Sequence, residues 1–258
     1  NVKFTGLIFM VIFIVALLAW LLFAKKQAMF RTVLYTTFIA GMVGVCVVGF
    51  NPYVVNTVKF GHPFYPLMGK NKVDIIVNNI PKGFEKKNAA SKFFISLFGR
   101  SDNVMPNNDK VVRLKWPFVL SKEDIINTGK IDTRIAGFGP LFSGAVLLSI
   151  TLLILLLRKN EEKTAVKNVL YTIGVIAVTI IIIPESWWAR YIPQLWYIPV
   201  VILLASELYA KDRFKLLKGS VYVTLLLTIS FTSIAISWNY MMSRLIDHQL
   251  KELQASAH

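Results

Sequence analysis

The sequence predicts an all-α membrane protein of about six transmembrane helices with one large extracytoplasmic loop containing short amphipathic helices. Three observations carry that prediction. Hydrophobic residues make up 55% of the 258 positions and the mean hydropathy is +0.57, too apolar for a domain with a wet surface. Charged residues are 17% of the chain, against roughly a quarter in soluble proteins, and they are gathered in blocks. Between the blocks run nearly uncharged stretches of about 17 to 22 residues, the length a hydrocarbon layer ~30 Å thick requires of a helix. Lipid leaves backbone groups only internal partners, so each stretch reads as helical. The alternating pattern of a membrane barrel is absent from these runs.

The first run, Phe4–Phe23, continues into Ala24, Lys25 and Lys26 without a small-residue cleavage site, which argues against a cleaved signal peptide. The chain opens on Asn1, almost directly in this run, and the N-terminal portion of a longer protein is expected to be missing. The second run, 33–50, carries Ala40, Gly41, Gly44 and Gly49, a small-residue face expected to allow close helix packing. Cys46 lies in the same run. As the sole cysteine it can form no intrachain disulfide, and it is expected to be a small buried packing residue. Residues 1–50 therefore read as two transmembrane helices.

Residues 51–137 form the one segment with room for an extracytoplasmic element. It holds 14 basic and seven acidic residues, a surface suited to anionic headgroups or a phosphate-bearing substrate, or simply a solvated face. Within 82–98, Phe84, Ala89, Phe93, Leu97 and Phe98 fall near helical spacing, predicting an amphipathic helix on the membrane surface that ends at Gly99. A second short helix is predicted to start at Ser121 as N-cap, with Glu123 and Asp124 in its first turn and Gly129 as its stop. Residues 103–109 read as a turn. Asn51-Pro52-Tyr53 and Gly61-His62-Pro63-Phe64-Tyr65-Pro66 flank a short apolar stretch, and their prolines predict a rigid collar.

Residues 138–240 contain four further runs, at 138–157, 166–183, 192–210 and 217–238, and 241–258 is a C-terminal tail. Three short connections are basic: Lys25, Lys26 and Arg31; Arg158, Lys159, Lys163 and Lys167; Lys211, Arg213, Lys215 and Lys218. The connection at 184–191 has Arg190 as its lone basic residue. The positive-inside rule puts the three basic connections in the cytoplasm, and 184–191 and the long loop outside, since loops beyond ~60 residues translocate regardless of charge. Trp187, Trp188, Tyr191, Trp196 and Tyr197 mark one outer boundary, and Trp238 and Tyr240 another. They read as an interfacial belt or as the lining of a ligand groove.

Several chemistries find no residues to carry them. His62, His248 and His258 are far apart, and no His/Cys/Asp/Glu cluster has metal-ligand spacing, so no metal is expected. Gly137-Phe138-Gly139 opens a membrane helix with no preceding strand, which excludes a dinucleotide-binding loop. An outward-facing basic loop disfavours nucleic acid. The informative charges stand at the outer helix ends: Asp132 and Arg134 before the third run, Glu185 and Arg190 before the fifth. Charges at a bilayer boundary are usually paired or functional. Two arginines at one level can clamp a phosphate, or each can snorkel or bridge to a carboxylate.

Asn51-Pro52-Tyr53 with Gly61-His62-Pro63-Phe64-Tyr65-Pro66 resembles a conserved-looking proline passage of the GT-C superfamily of polytopic bacterial glycosyltransferases. Arg190-Tyr191-Ile192-Pro193, followed by Pro199, is similar to the start of a late helix in the same proteins, which include protein mannosyltransferases and aminoarabinose transferases. The resemblance spans about 51–199. It implies an inner-membrane transferase, moving a sugar from a polyprenyl-phosphate donor to a cell-envelope acceptor on the outer face. Arg190, then Arg134, would hold the phosphate, and Tyr191, Trp187, Trp188, His62 and Tyr65 would line the groove. The family's general-base aspartate lies in an early outer loop, yet residues 1–73 contain no Asp or Glu. Asp132 and Glu185 are substitutes by location alone, and the chain by itself is expected to be inactive, pending a missing N-terminal segment or a partner subunit. The competing readings are a transporter or flippase of a lipid-linked or anionic substrate, and a non-catalytic membrane scaffold.

Overall fold

A computed structural model describes residues 4–70, 72–73, 80–102, 112–128, 133–159 and 163–256. Among them the regular elements are helices, joined by two isolated antiparallel bridges, Gly99 with Leu114 and Asp102 with Ile135. The chain divides into two compact units, Asn1–Ile80 and Pro81–His258.

In the first unit α1 (Phe4–Phe23) packs against α2 (Gln27–Val43) across a turn in which Lys25 has a left-handed φ of 55°. After α2 come two π-helical turns, Gly44–Val48 and Phe50–Val54, the second kinked at Asn51, whose φ of −106° and ψ of 115° are not helical, and then α3 (Val55–Phe60). Gly49 sits between those turns. A Cβ there would lie 2.6 Å from the Tyr53 ring and 2.8 Å from the Gly44 carbonyl, so glycine alone fits. Gly41 and Gly44 face open space, and the close packing expected of them is not observed. Cys46 is likewise exposed rather than buried, because α2 and the π turns present their apolar side chains outward. Phe23 is 85% and Val48 80% exposed, a surface that water penalises and lipid accepts.

Beyond α3, Gly61 closes the helix at φ +69°. The collar follows, with cis bonds at Asn51–Pro52 and Tyr65–Pro66. Its aromatics are ordered: Tyr65 stacks on Phe60 at 4.0 Å, and Tyr53 meets Phe64 edge-on at 5.8 Å.

The second unit holds α4 (Ala89–Leu97), α5 (Lys122–Thr128), α6 (Phe142–Lys159), α7 (Lys163–Ile181), α8 (Tyr197–Tyr209) and α9 (Lys215–Ser256). Helix α6 packs on α8 and α9, and α7 on α8. Phe142, Leu152, Ile202 and Val221 lie fully buried between them. Buried hydroxyls satisfy themselves along their own helices: Ser149 donates to Ala145 O, Ser206 to Leu203 O and Thr228 to Thr224 O. Such local pairing lets polar residues sit in an apolar bundle.

Two runs differ from their expected helices. The run at 192–210 begins as 3-10 turns, Ala189–Tyr191 and Pro193–Trp196, because Pro193 lacks the N–H that a preceding turn would use. Helix α8 proper has 13 residues, about 20 Å. At the other end, α9 runs unbroken through 42 residues, about 63 Å, so 241–256 is helix.

The amphipathic helix expected at 82–98 also starts later. Gly83 takes φ +86° and donates its N–H to the Glu85 carboxylate, which keeps 81–88 as turns. Asn88 then caps α4, accepting from Ser91 N–H at 2.8 Å. The cap expected at Ser121 is present. Its Oγ accepts from Asp124 N–H at 3.2 Å while Asp124 accepts from Ser121 N–H at 3.0 Å, a reciprocal capping box. Gly129 and the turn at 103–109 lie outside the described residues.

By length and composition, three helical stretches among the described residues can cross a membrane: α1, Gln27–Val48 and α9. Shorter apolar helices cover Phe142–Arg158 and Val166–Ile181.

Candidate functional site

Residues at one set of helix ends in the second unit meet around one indole. Trp188 follows a turn in which its N–H donates to Glu185 O at 2.9 Å, and Tyr191 N–H donates to Trp188 O at 2.9 Å. These bonds fold 185–191 tightly enough to bring Arg190 back over the Trp188 ring, with Cζ 4.8 Å from its centroid. Arg190 also lies 5.8 Å from the Tyr191 ring. Tyr191 closes on Trp188 edge-on at 5.3 Å, and Trp187 stacks on it at 5.5 Å.

Arg134 reaches the same ring from elsewhere in the chain, its Cζ 5.6 Å from the centroid. Its backbone is fixed by the residues beside it. Ile135 and Asp102 exchange both backbone hydrogen bonds, at 2.9 and 3.2 Å, and Ala136 N–H donates to Ser96 Oγ at 3.2 Å. Gly137 allows close approach: a Cβ there would lie 2.6 Å from Thr133 O and 3.4 Å from the Ala189 methyl. The 134–137 segment is thereby seated against the turn that carries Arg190.

Burial separates the two arginines. Arg134, Trp187 and Trp188 are buried, whereas Arg190 is exposed. The site is thus a cation held inside against an aromatic wall, with a second cation at its mouth. A guanidinium over an indole face gains about 0.5–2 kcal/mol, most when desolvated. That attraction helps to order both heads, and a guanidinium's planar fork of donors suits a tetrahedral oxyanion.

The other predicted site residues are placed as follows. Glu185 is half-buried in the same turn, and Asp132 lies outside the described residues. His62 and Tyr65 belong to the first unit, where His62 Nδ1 accepts from Phe64 N–H at 3.2 Å and Tyr65 O accepts from Asn56 at 2.8 Å. Their contacts there order the collar. Among the described residues no group of three His, Cys, Asp or Glu side chains converges on a metal-sized site.

Sequence reasoning missed three sets of contacts. Phe84 is fully buried and edge-on to Trp187 at 5.5 Å, so the 81–88 turns back the aromatic wall. Lys115 and Asp124 form a buried ion pair at 2.9 Å, whose hydrogen bonds order the loop. Lys218 is buried although it reads as a surface cation. Its Nζ pairs with Glu207 at 3.0 Å and donates to the carbonyls of Lys211 and Ala210, at 2.8 and 3.3 Å, closing the C-terminal end of α8.

Among the described residues, fold and site are an all-helical arrangement with three helices long and apolar enough to cross a membrane and an aromatic-walled dicationic cluster. Comparison with protein-family models, characterised proteins and solved structures finds no match to this chain.

Proposed function

We propose that the Arg134–Trp188–Arg190 cluster binds the phosphate of a membrane-borne anionic substrate, and that the chain is the C-terminal part of a GT-C type glycosyltransferase. One observation carries the reading: two guanidinium groups, 56 residues apart in sequence, share one indole ring. On this reading the chain crosses the membrane six times, the 192–210 crossing being completed by the 3-10 turns ahead of α8. Its basic connections face the cytoplasm and the cluster faces out.

The donor is a polyprenyl-phosphate sugar. The acceptor oxygen attacks the anomeric carbon, and the bond from that carbon to the phosphate oxygen breaks. The phosphate leaves with the electron pair, and the acceptor proton passes to a carboxylate. Arg190, at the mouth, neutralises the charge that develops on the leaving phosphate, and buried Arg134 holds it from behind. Half-buried Tyr191 presents its ring to the lipid or the sugar, with buried Trp187 and Trp188 backing it. Asp132, two residues from Arg134, and Glu185, in the turn that carries Arg190, are the carboxylates nearest in sequence to the cluster and the candidates for that base.

Native mass spectrometry of the detergent-purified protein with polyprenyl phosphate tests this. One retained lipid, lost on Arg190→Ala with the helical circular dichroism unchanged, supports the reading. Equal retention by parent and variant removes it and favours a scaffold role.

A further inference from the structure

The segment 114–126 carries an apolar surface that the chain itself leaves uncovered. Trp116 is 81% exposed and Phe118 55%, and Leu114, Val119, Ile125 and Ile126 are exposed beside them. A water-facing strap would turn such residues inward. Here the inward side is polar and closed. Lys115 and Asp124 pair with their side chains withdrawn from solvent, and Lys115 Nζ donates to Pro140 O at 2.7 Å. The strap is thus anchored to the start of α6 by its charges and by one edge of Phe118, while Trp116, Leu114 and Val119 are left exposed.

The level of the strap follows from its contacts. Phe118 covers Gly144 in the first turn of α6, where a Cβ would lie 2.5 Å from the ring. Gly139, just ahead of α6, lies against Thr228 of α9. From Thr228 the apolar run of α9 continues ten residues to Trp238, about 15 Å, before the aromatic boundary. Helix α5, which follows the strap, packs on α9 itself. The strap therefore sits beside spanning helix at a depth where α9 is still apolar.

We propose that residues 114–126 form a wedge inserted from one side into the hydrocarbon of the bilayer, with Trp116 and Phe118 at its tip and Lys122 toward the headgroups. The inference rests on α9 spanning the membrane and is independent of the sugar-transfer reading.

Spin labels on the full chain in phosphatidylcholine nanodiscs test it. In a Cys46→Ser background, single labels are placed by Trp116→Cys and Val119→Cys, with Ile229→Cys in mid-α9 and Lys251→Cys as references. Power saturation with oxygen and with a water-soluble nickel chelate then reports depth. The wedge predicts that labels 116 and 119 behave like label 229, open to oxygen and shielded from nickel. Nickel access equal to that of label 251, with label 229 still in lipid, overturns the wedge alone. Nickel access at label 229 as well overturns it together with the spanning of α9. Shielding from both reagents at 116 and 119 means that another protein surface covers the strap, and this also overturns it.

Discussion

Lys115 Nζ lies 2.9 Å from Asp124 Oδ1 with both side chains withdrawn from solvent, and the loop is assembled around that pair. Asp124 also accepts from Ser101 N–H at 2.7 Å, Ser121 N–H at 3.0 Å and Ser121 Oγ at 2.8 Å. One carboxylate thereby ties the Ser101 segment, the start of α5 and, through Lys115, the start of α6.

Removing one partner leaves a buried charge uncompensated, at a cost of about 3–5 kcal/mol. Asp124→Asn and Lys115→Met are each expected to lower the thermal midpoint of the detergent-solubilised protein. The double variant should lose much less than the sum of the two. Additive losses would mean that the two groups do not act as a pair.

The same carboxyl sets an acid limit. Burial raises its pKa, but the hydrogen bonds from Ser101, Ser121 and Lys115 outweigh burial and hold it below the usual carboxylate range. Asp124 releases its proton more readily folded than unfolded, so its stabilisation is present above an unfolded value of about 3.9 and is lost as pH falls through the depressed folded value. Lys115 is pulled below its ordinary range, with burial outweighing the pull of Asp124. Loosening of the loop, followed by Trp116 emission, is expected below pH ~4. That step should be absent from Asp124→Asn.

Two glycines should respond oppositely to alanine. Gly139 has φ +114°, and a Cβ there would collide with the Thr228 side chain. Gly139→Ala is expected to cost about 1–3 kcal/mol from backbone strain, before any repacking. Gly219, in the first turns of α9, has open space around it, and Gly219→Ala should gain about 0.5–1 kcal/mol from helix propensity. Comparing the two thermal midpoints checks both signs.

Lys218→Met keeps the apolar stem and removes a charge that pairs with Glu207 and closes α8. The expected loss is about 1.5–3 kcal/mol, the range for hydrogen bonds to charged groups. Protease nicking at 210–214 should rise with it. An unchanged thermal midpoint would show that the contact is not structural.

How much of this was legible in the sequence depended on the range of the forces involved. The bounds of α1 agree with the apolar run Phe4–Phe23, because charge and hydropathy alone set them. The Ser121 cap was legible because capping acts over three residues. Phe84 was assigned to a helix because its spacing fits one, whereas Gly83 and the capping by Asn88 decide the backbone there and Trp187 decides where the ring goes. Lys218 was read as a loop cation, since nothing local reveals that α8 ends beneath it. That the two arginines stand at one level is legible from their places before the third and fifth runs. Their shared ring depends on the Ile135–Asp102 bridge and the turn at 185–191, contacts too distant in sequence for spacing to reveal.

The central claim is that Arg190 and Trp188 act as one phosphate site, and a double-mutant cycle on lipid binding tests it most directly. Polyprenyl phosphate affinity would be measured by native mass spectrometry for the parent, Arg190→Ala, Trp188→Phe and the double variant. The account predicts that each single variant weakens binding and that the double loses less than the sum, because the ring acts by orienting the guanidinium. Parent-like affinity in Arg190→Ala, or strictly additive losses, would contradict it.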